Sequence, residues 1–384
     1  MKKLLTLLLV LALVFSLAAC GADTDAPEEP AEGEEPAEGE EPAEDEEPLK
    51  VALLLNGTLG DLSFFDSAHD GLQRAKEQFG DDIEVETVEM TTDSTKWLPT
   101  LYDYSDDGTW DIIIVGTWEL VEPLAEVAPQ YPDQNYFIFD QTLDYSSGEF
   151  DNVYSITYKQ NEASFIAGAL AAKMTASDQF ELVDPSNDVI GFLGGTDSPV
   201  INDFLVGYIE GAKYVTDDIR VVISYVGNFS DTPKGKDLAL AQYQNQGVDV
   251  GFNVAGLAGL GQIDAAVETD NYAIGVDSDQ AMIMGEPQAN YIPTSVLKNV
   301  GASLLRGIEM HMNGEVPYGQ AESLGLSENG VGLAKNEYYE QIVPEDIRAE
   351  LSELETMIAD GEIEVDTAFG KTNEEIQAIK DSVQ

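Results

Sequence analysis

From Lys50 onward the chain alternates short apolar runs with longer stretches in which apolar residues recur every three or four positions. The runs KVALLL (50–55), IEVETVE (83–89), DIIIVG (111–116) and YFIFD (136–140) have strand length, and helical patterns begin between them near Asp61, Ser94 and Trp118. Parallel strands need a crossover and a helix supplies it, so this alternation predicts a parallel sheet covered by helices on both faces. A second series opens with VYSITY (153–158) and continues through VIGFLGG (189–195), RVVISYVG (220–227), VDVGFNVAG (248–256) and YAIGVD (272–277). The helices expected within it cover 161–174, 199–215, 235–246 and 259–268, the first being small and apolar on nearly every side and therefore buried. IPTSVLKN (292–299) reads as one more strand and GASLLRGIEMHMNG (301–314) as one more helix, after which the chain reads as acidic helix without a catalytic pattern.

Two consecutive sets of this kind predict an α/β protein of two similar lobes. The 336 residues from Leu49 also exceed the ~250–300 that one hydrophobic core serves. In open parallel sheets ligands bind beyond the carboxyl ends of the strands, where loops meet helix N-termini with free backbone donors. The residues at those ends are 56–65, Thr117 and Trp118, Asp140, 196–204, 255–261 and 277–279. Aromatic and carboxylate side chains thus recur along one edge of each sheet. Two adjacent phenylalanines, Phe64 and Phe65, stand in the first of these turns, one expected to face a ligand and the other the core.

The N-terminus bears on location. Lys2 and Lys3 precede an apolar segment, residues 4–17, that is too short for a bilayer of ~20 apolar residues and reads as the core of a signal peptide over residues 1–19. It ends in LAAC, which resembles a bacterial lipobox with Cys20, the only cysteine, as the lipidated residue. Acyl chains anchor a protein without spanning the membrane. The expected location is the extracytoplasmic face of the cell membrane, with the membrane touched through the lipid anchor alone. Residues 20–48 then form an acidic tether in which EEPAEG repeats every six residues. Its 14 carboxylates and lack of any base prevent it from burying a core.

With that tether and the two leader lysines set aside, the remainder still carries 59 acidic against 16 basic residues. Such a surface repels nucleic acid and anionic lipid, so neither is an expected partner of the body. Catalysis finds little support. His69 and His311, the only histidines, belong to no H-E-x-x-H pattern, and no second cysteine, G-x-S-x-G elbow or P-loop is present. AGLAGLG (255–261) has the spacing G-x-x-G-x-G rather than that of a dinucleotide loop, and its glycines, Gly256 among them, fit close approach of backbone to a ligand or a neighbouring helix. No cofactor and no metal is expected.

The segments GDLSFFDSAHDGLQRAKE, ASFIAGALAAKM, IGFLGGTDSPVINDFLVGYIEGAKYV, GFNVAGLAGLGQIDAA and YAIGVDSDQ resemble, in order over residues 49–335, the BMP family of lipoproteins, which includes purine-nucleoside receptors of ABC importers. The resemblance implies the type I periplasmic-binding-protein fold, two Rossmann-like lobes joined by three crossings with a ligand shut between them. The lobes expected are 49–158 plus 299–320 and 159–298 plus 321–384. It also implies roles for residues at matching positions. Phe64 and Phe204 would sandwich a purine, Asp277 would hold ribose hydroxyls, Lys298 would be a pocket lysine, Asp140 would lie near the base edge, and Asp61 and Ser63 would be the polar residues of the first turn. Phe65 departs from the asparagine usual in the family, and Trp118 stands where smaller residues are common, either narrowing the pocket or capping a helix. The function implied is a monomeric, lipid-anchored solute-binding protein that presents a nucleoside-like ligand to an ABC permease. The alternatives are a surface nucleoside-processing enzyme and a ligand sensor without transport.

Overall fold

The computed structural model of the protein describes residues 47–384. The expected signal peptide, Cys20 and nearly all of the tether lie outside the described residues. In chain order the elements begin with β1 (Leu49–Leu55), α1 (Phe64–Phe79), β2 (Ile83–Glu89), α2 (Ser94–Asp107), β3 (Ile112–Gly116), α3 (Val121–Val127), β4 (Asn135–Phe139) and β5 (Val153–Tyr158). They continue with α4 (Gln160–Thr175), β6 (Val189–Gly194), α5 (Pro199–Val215), β7 (Arg220–Tyr225), α6 (Thr232–Gln246), β8 (Val250–Val254), α7 (Leu260–Thr269), β9 (Tyr272–Asp277), α8 (Gln280–Met284) and β10 (Ser295–Lys298). The last are α9 (Val300–Met312), β11 (Gln320–Leu324), β12 (Val331–Leu333), α10 (Glu337–Ile342), α11 (Glu345–Ala359) and α12 (Asn373–Asp381).

The strands form two six-stranded sheets, ordered β11-β5-β4-β3-β1-β2 and β12-β10-β9-β8-β6-β7. Every pair is parallel except β10 with β12. The central strands β1, β3, β6, β8 and β9 are buried along almost their whole length, as parallel strands covered on both faces must be. Helix α4 is buried nearly all round as well. It packs on α5 so closely that a Cβ at Gly168 would run into the carbonyl of Tyr208, and one at Gly211 into the carbonyl of Phe165. Glycine is required there because the two backbones touch.

The chain passes between sheets three times, after β5, after β10 and between β11 and β12. The crossings are tied to one another, with Lys159 N donating to Leu324 O at 3.0 Å and Asn299 N to Gly330 O at 2.9 Å. Two expectations need correction here. Residues 320–324 form a strand against β5, so residues 321–324, expected in the C-terminal lobe, belong to the first sheet. Strands β11 and β12 replace part of the acidic helix expected near the C-terminus. β11 is an exposed edge strand of sequence QAESL, and an edge strand need not show the apolar run that marks a central one.

Candidate functional site

The carboxyl ends of β1, β3, β4, β6, β8 and β9 lead into the residues singled out above. Several of these ends leave the extended conformation abruptly: Leu62, Thr117, Asp140 and Asp277 all have positive φ, between 51° and 73°. Such backbone is strained for residues other than glycine and collects at functional sites. Asp140 and Asp277 thereby stand at the ends of buried strands, where Asp140 meets Lys298 and Asp277 meets Ser63 of the other lobe.

Lys298 ends β10, is 2% exposed, and is the centre of the arrangement. Its Nζ donates to Asp140 Oδ1 at 2.6 Å and lies 5.5 Å from the ring centroid of Phe64, 4.8 Å from that of Phe204 and 5.7 Å from that of Tyr158. An ammonium held within about 6 Å of a ring face is attracted by the ring quadrupole. Phe64 belongs to the first lobe and leans on Phe139 at 5.4 Å, whereas Phe204 belongs to the second and rests on Phe252 at 6.2 Å. The two rings therefore reach one cation from opposite lobes.

The lobes also meet directly. Ser63 Oγ donates to Asp277 Oδ2 at 2.7 Å, Ser278 Oγ to Ser63 O at 3.1 Å, and Gln280 Nε2 to Leu62 O at 3.4 Å. Burial pushes the Asp277 carboxyl up to about 6, even though Lys298 and the Ser63 hydroxyl pull the other way. Burial likewise raises Asp140 against the pull of Lys298. Desolvation disfavours a charged carboxylate, and one cation shared among several carboxylates offsets only part of that cost.

Asp61 plays a different part. Its oxygens accept from the backbone N–H of Ser63, Phe65 and Asp66, at 3.1, 2.9 and 3.1 Å, so it caps the start of α1 and holds the turn that presents Ser63 and Phe64. Phe65 packs over Gly57, where an added Cβ would collide with its ring. Two further expected residues, Trp118 and Gly256, follow β3 and β8. Trp118 opens the 3-10 turn that leads directly into α3, the helix expected to begin near it, and is 54% exposed. Gly256 has φ +54° and abuts Phe229.

Two contributors, Tyr158 and Gln280, were not among the expected site residues. Tyr158 ends β5, so the strand-end rule that selected Asp140 would have found it. Ser278 lies within the expected stretch 277–279 and Gln280 follows it, but nothing local marks either as bridging to the other lobe. A cavity of 760 Å³ begins at Asp140 and runs past Tyr158, Gln160 and Asp203 to the segment 358–369. Phe64, Phe204, Asp277 and Lys298 do not line it, because their side chains pack on one another beside it.

Two α/β lobes, three crossings and a polar cluster at facing strand ends define a solute-binding protein of the type I periplasmic class. Residues 49–365 match the family model described as ABC transporter substrate-binding protein PnrA-like, and the chain belongs to this Bmp family. It is 31% identical over 318 residues to basic membrane protein A1 of Borrelia garinii subsp. bavariensis, covering 82% of this chain and 87% of that protein. With basic membrane protein A of Borreliella burgdorferi it shares 30% identity over 367 residues, 94% of this chain and 95% of the relative. An uncharacterized lipoprotein of Pyrococcus furiosus is 33% identical over 296 residues, covering 74% and 69%. The crystal structure of an ABC transporter solute-binding protein from Aeropyrum pernix K1 superposes with a TM-score of 0.73 at 28% identity, over 88% of this chain and all of the other. Among the described residues no helix is long and apolar enough to cross a membrane.

Proposed function

We propose that the protein is a lipid-anchored, extracytoplasmic receptor that takes a purine-nucleoside-like ligand between its lobes and delivers it to an ABC permease. The observation that carries this reading is the approach of Phe64 and Phe204, one from each lobe, to the same ammonium at Lys298. Two rings so placed can grip a flat heterocycle, and each contributes roughly 1–3 kcal/mol by stacking. Asp277 keeps one carboxylate oxygen free of the Ser63 bond for a sugar hydroxyl, and Asp140 adds an acceptor beside it. A ligand that touches both lobes favours the shut arrangement by its differential affinity for it. Anchoring through Cys20, a monomeric state and handover to a permease complete the proposal.

Calorimetric titration with guanosine, inosine and adenosine, with ribose and a free base as controls, tests it. Saturable binding of a nucleoside with intact recovery of the ligand supports the reading. Binding of ribose alone, or release of free base on incubation, defeats it.

A further inference from the structure

The loop and helix that carry Phe204 are held at two points by chain that lies beyond residue 365, where the family match ends. The first point is Asp203, which is 1% exposed and immediately precedes Phe204. Its Oδ1 accepts from Thr367 Oγ1 at 2.5 Å and from Ala368 N at 2.8 Å, while its Oδ2 accepts from Gln160 Nε2 at 2.6 Å. The second is Asp197, on the loop entering α5. Its Oδ1 accepts from Lys380 Nζ at 2.9 Å and from Asn202 Nδ2 at 2.7 Å. Lys380 is 6% exposed, and its ammonium sits 4.8 Å over the ring of Tyr225, whose hydroxyl donates to Asn202 Oδ1 at 2.7 Å. A backbone bond from Val221 N to Val383 O at 2.8 Å docks the chain end beside β7.

The body of α5 is already fixed by its close contact with α4. The α4 contact reaches back along α5 as far as Gly207, so what it leaves to be set is the entry loop and the first two turns, which carry Asp203 and Phe204, and both anchors fall there. We propose that Asp203 and Asp197 are positioning residues through which residues 366–384 act as a brace that sets the pose of the Phe204 ring, and with it the affinity of the cleft for a stacking ligand. The proposal rests on the nucleoside reading for its ligand, but the brace itself has a readout that needs none. Gln160 adds a chemical check, because its Oε1 is buried without a hydrogen-bond partner. An asparagine at position 203 would keep an acceptor for Thr367 and Ala368, and its amide could donate to a rotated Gln160.

The test uses the full chain with Thr367→Val and Lys380→Met combined, and separately Asp203→Asn and Asp203→Leu. Protein carrying ¹³C-labelled phenylalanine reports the Phe204 ring signal without ligand, assigned by Phe204→Leu, and guanosine titration reports affinity. In Thr367→Val/Lys380→Met the ring signal moves or broadens and guanosine binding weakens by roughly threefold to tenfold per lost bond. Asp203→Asn retains both readouts of the wild type whereas Asp203→Leu loses them. A Phe204 signal unmoved in the double variant overturns the brace, as does unchanged guanosine affinity in a variant whose parent binds guanosine. If the parent takes up no guanosine, the nucleoside reading fails and the ring signal alone decides the brace.

Discussion

Ser63 and Asp277 are 214 positions apart and belong to different lobes, yet the serine hydroxyl donates to the aspartate carboxylate at 2.7 Å, with both residues buried. Hydrogen bonds to a charged group contribute about 1.5–3 kcal/mol, so this bond favours closure before any ligand contact is counted. Ser63→Ala removes it and leaves Asp277 Oδ2 without that donor. A larger radius of gyration by small-angle scattering, with each lobe's circular dichroism unchanged, is the expected outcome. A radius equal to that of the wild type would show that the remaining bridges suffice.

The two rings should matter about equally. Phe64→Ala and Phe204→Ala are each expected to weaken nucleoside binding by roughly tenfold to a hundredfold, the equivalent of the stacking lost. Trp118→Ala, at an exposed position outside the cluster, should leave affinity within about twofold under the rule for substitutions that touch no packed or paired group. Calorimetry on the three variants separates these outcomes.

Lys298 neutralises a site that is otherwise anionic. Lys298→Met leaves Asp140 and Asp277 buried without their cation, and breaking a buried pair from one side costs roughly 3–5 kcal/mol. Melting temperature should drop sharply at pH 7 and recover in part at pH 5, where Asp277 takes up a proton. Adding Asp140→Asn to the lysine variant should also restore part of the loss.

Asp277 sets a pH dependence whose sign follows from linkage. Its carboxyl titrates at about 6 in the folded protein against an ordinary 3.8, so between those values the folded state binds more protons than the unfolded one. Stability from this group is therefore greatest below about pH 4 and falls as pH rises to about 6, by roughly 3 kcal/mol in the limit of full burial. Asp203, raised to about 6 mainly by burial, acts in the same sense. Urea unfolding from pH 4 to 7 should show a flatter profile for Asp277→Asn than for the wild type. Nucleoside binding should weaken below pH 6 in the wild type alone.

Much of the architecture was legible because period and length are local properties. The strand YAIGVD and the helix from Pro199 to Val215 occur where the pattern placed them, the latter with proline at its start and a broad apolar face. The helix expected from Gly235 begins at Thr232 instead, since Asp231 accepts from Lys234 N and caps it, while Pro233 is tolerated in the first turn. Strand β11 escaped notice because its sequence is polar and its pairing with β5 is made by backbone groups that carry no side-chain signature. Trp118 stands at a strand end that the pattern marked, and its 54% exposure is a tertiary outcome that no local periodicity fixes.

Taken alone, the order of apolar and polar residues determined that this is a two-lobed parallel α/β protein with its polar and aromatic chemistry at the carboxyl ends of the strands. Which of those side chains meet was decided only by the tertiary structure. Periodicity assigns a residue to a face of its own helix or strand over a few positions. The contacts among Lys298, Asp140, Phe64 and Phe204, and between Ser63 and Asp277, depend on how two separately formed sheets are set against each other through three crossings. That setting is fixed by packing and hydrogen bonds between parts of the chain far apart in sequence, and no local pattern encodes it.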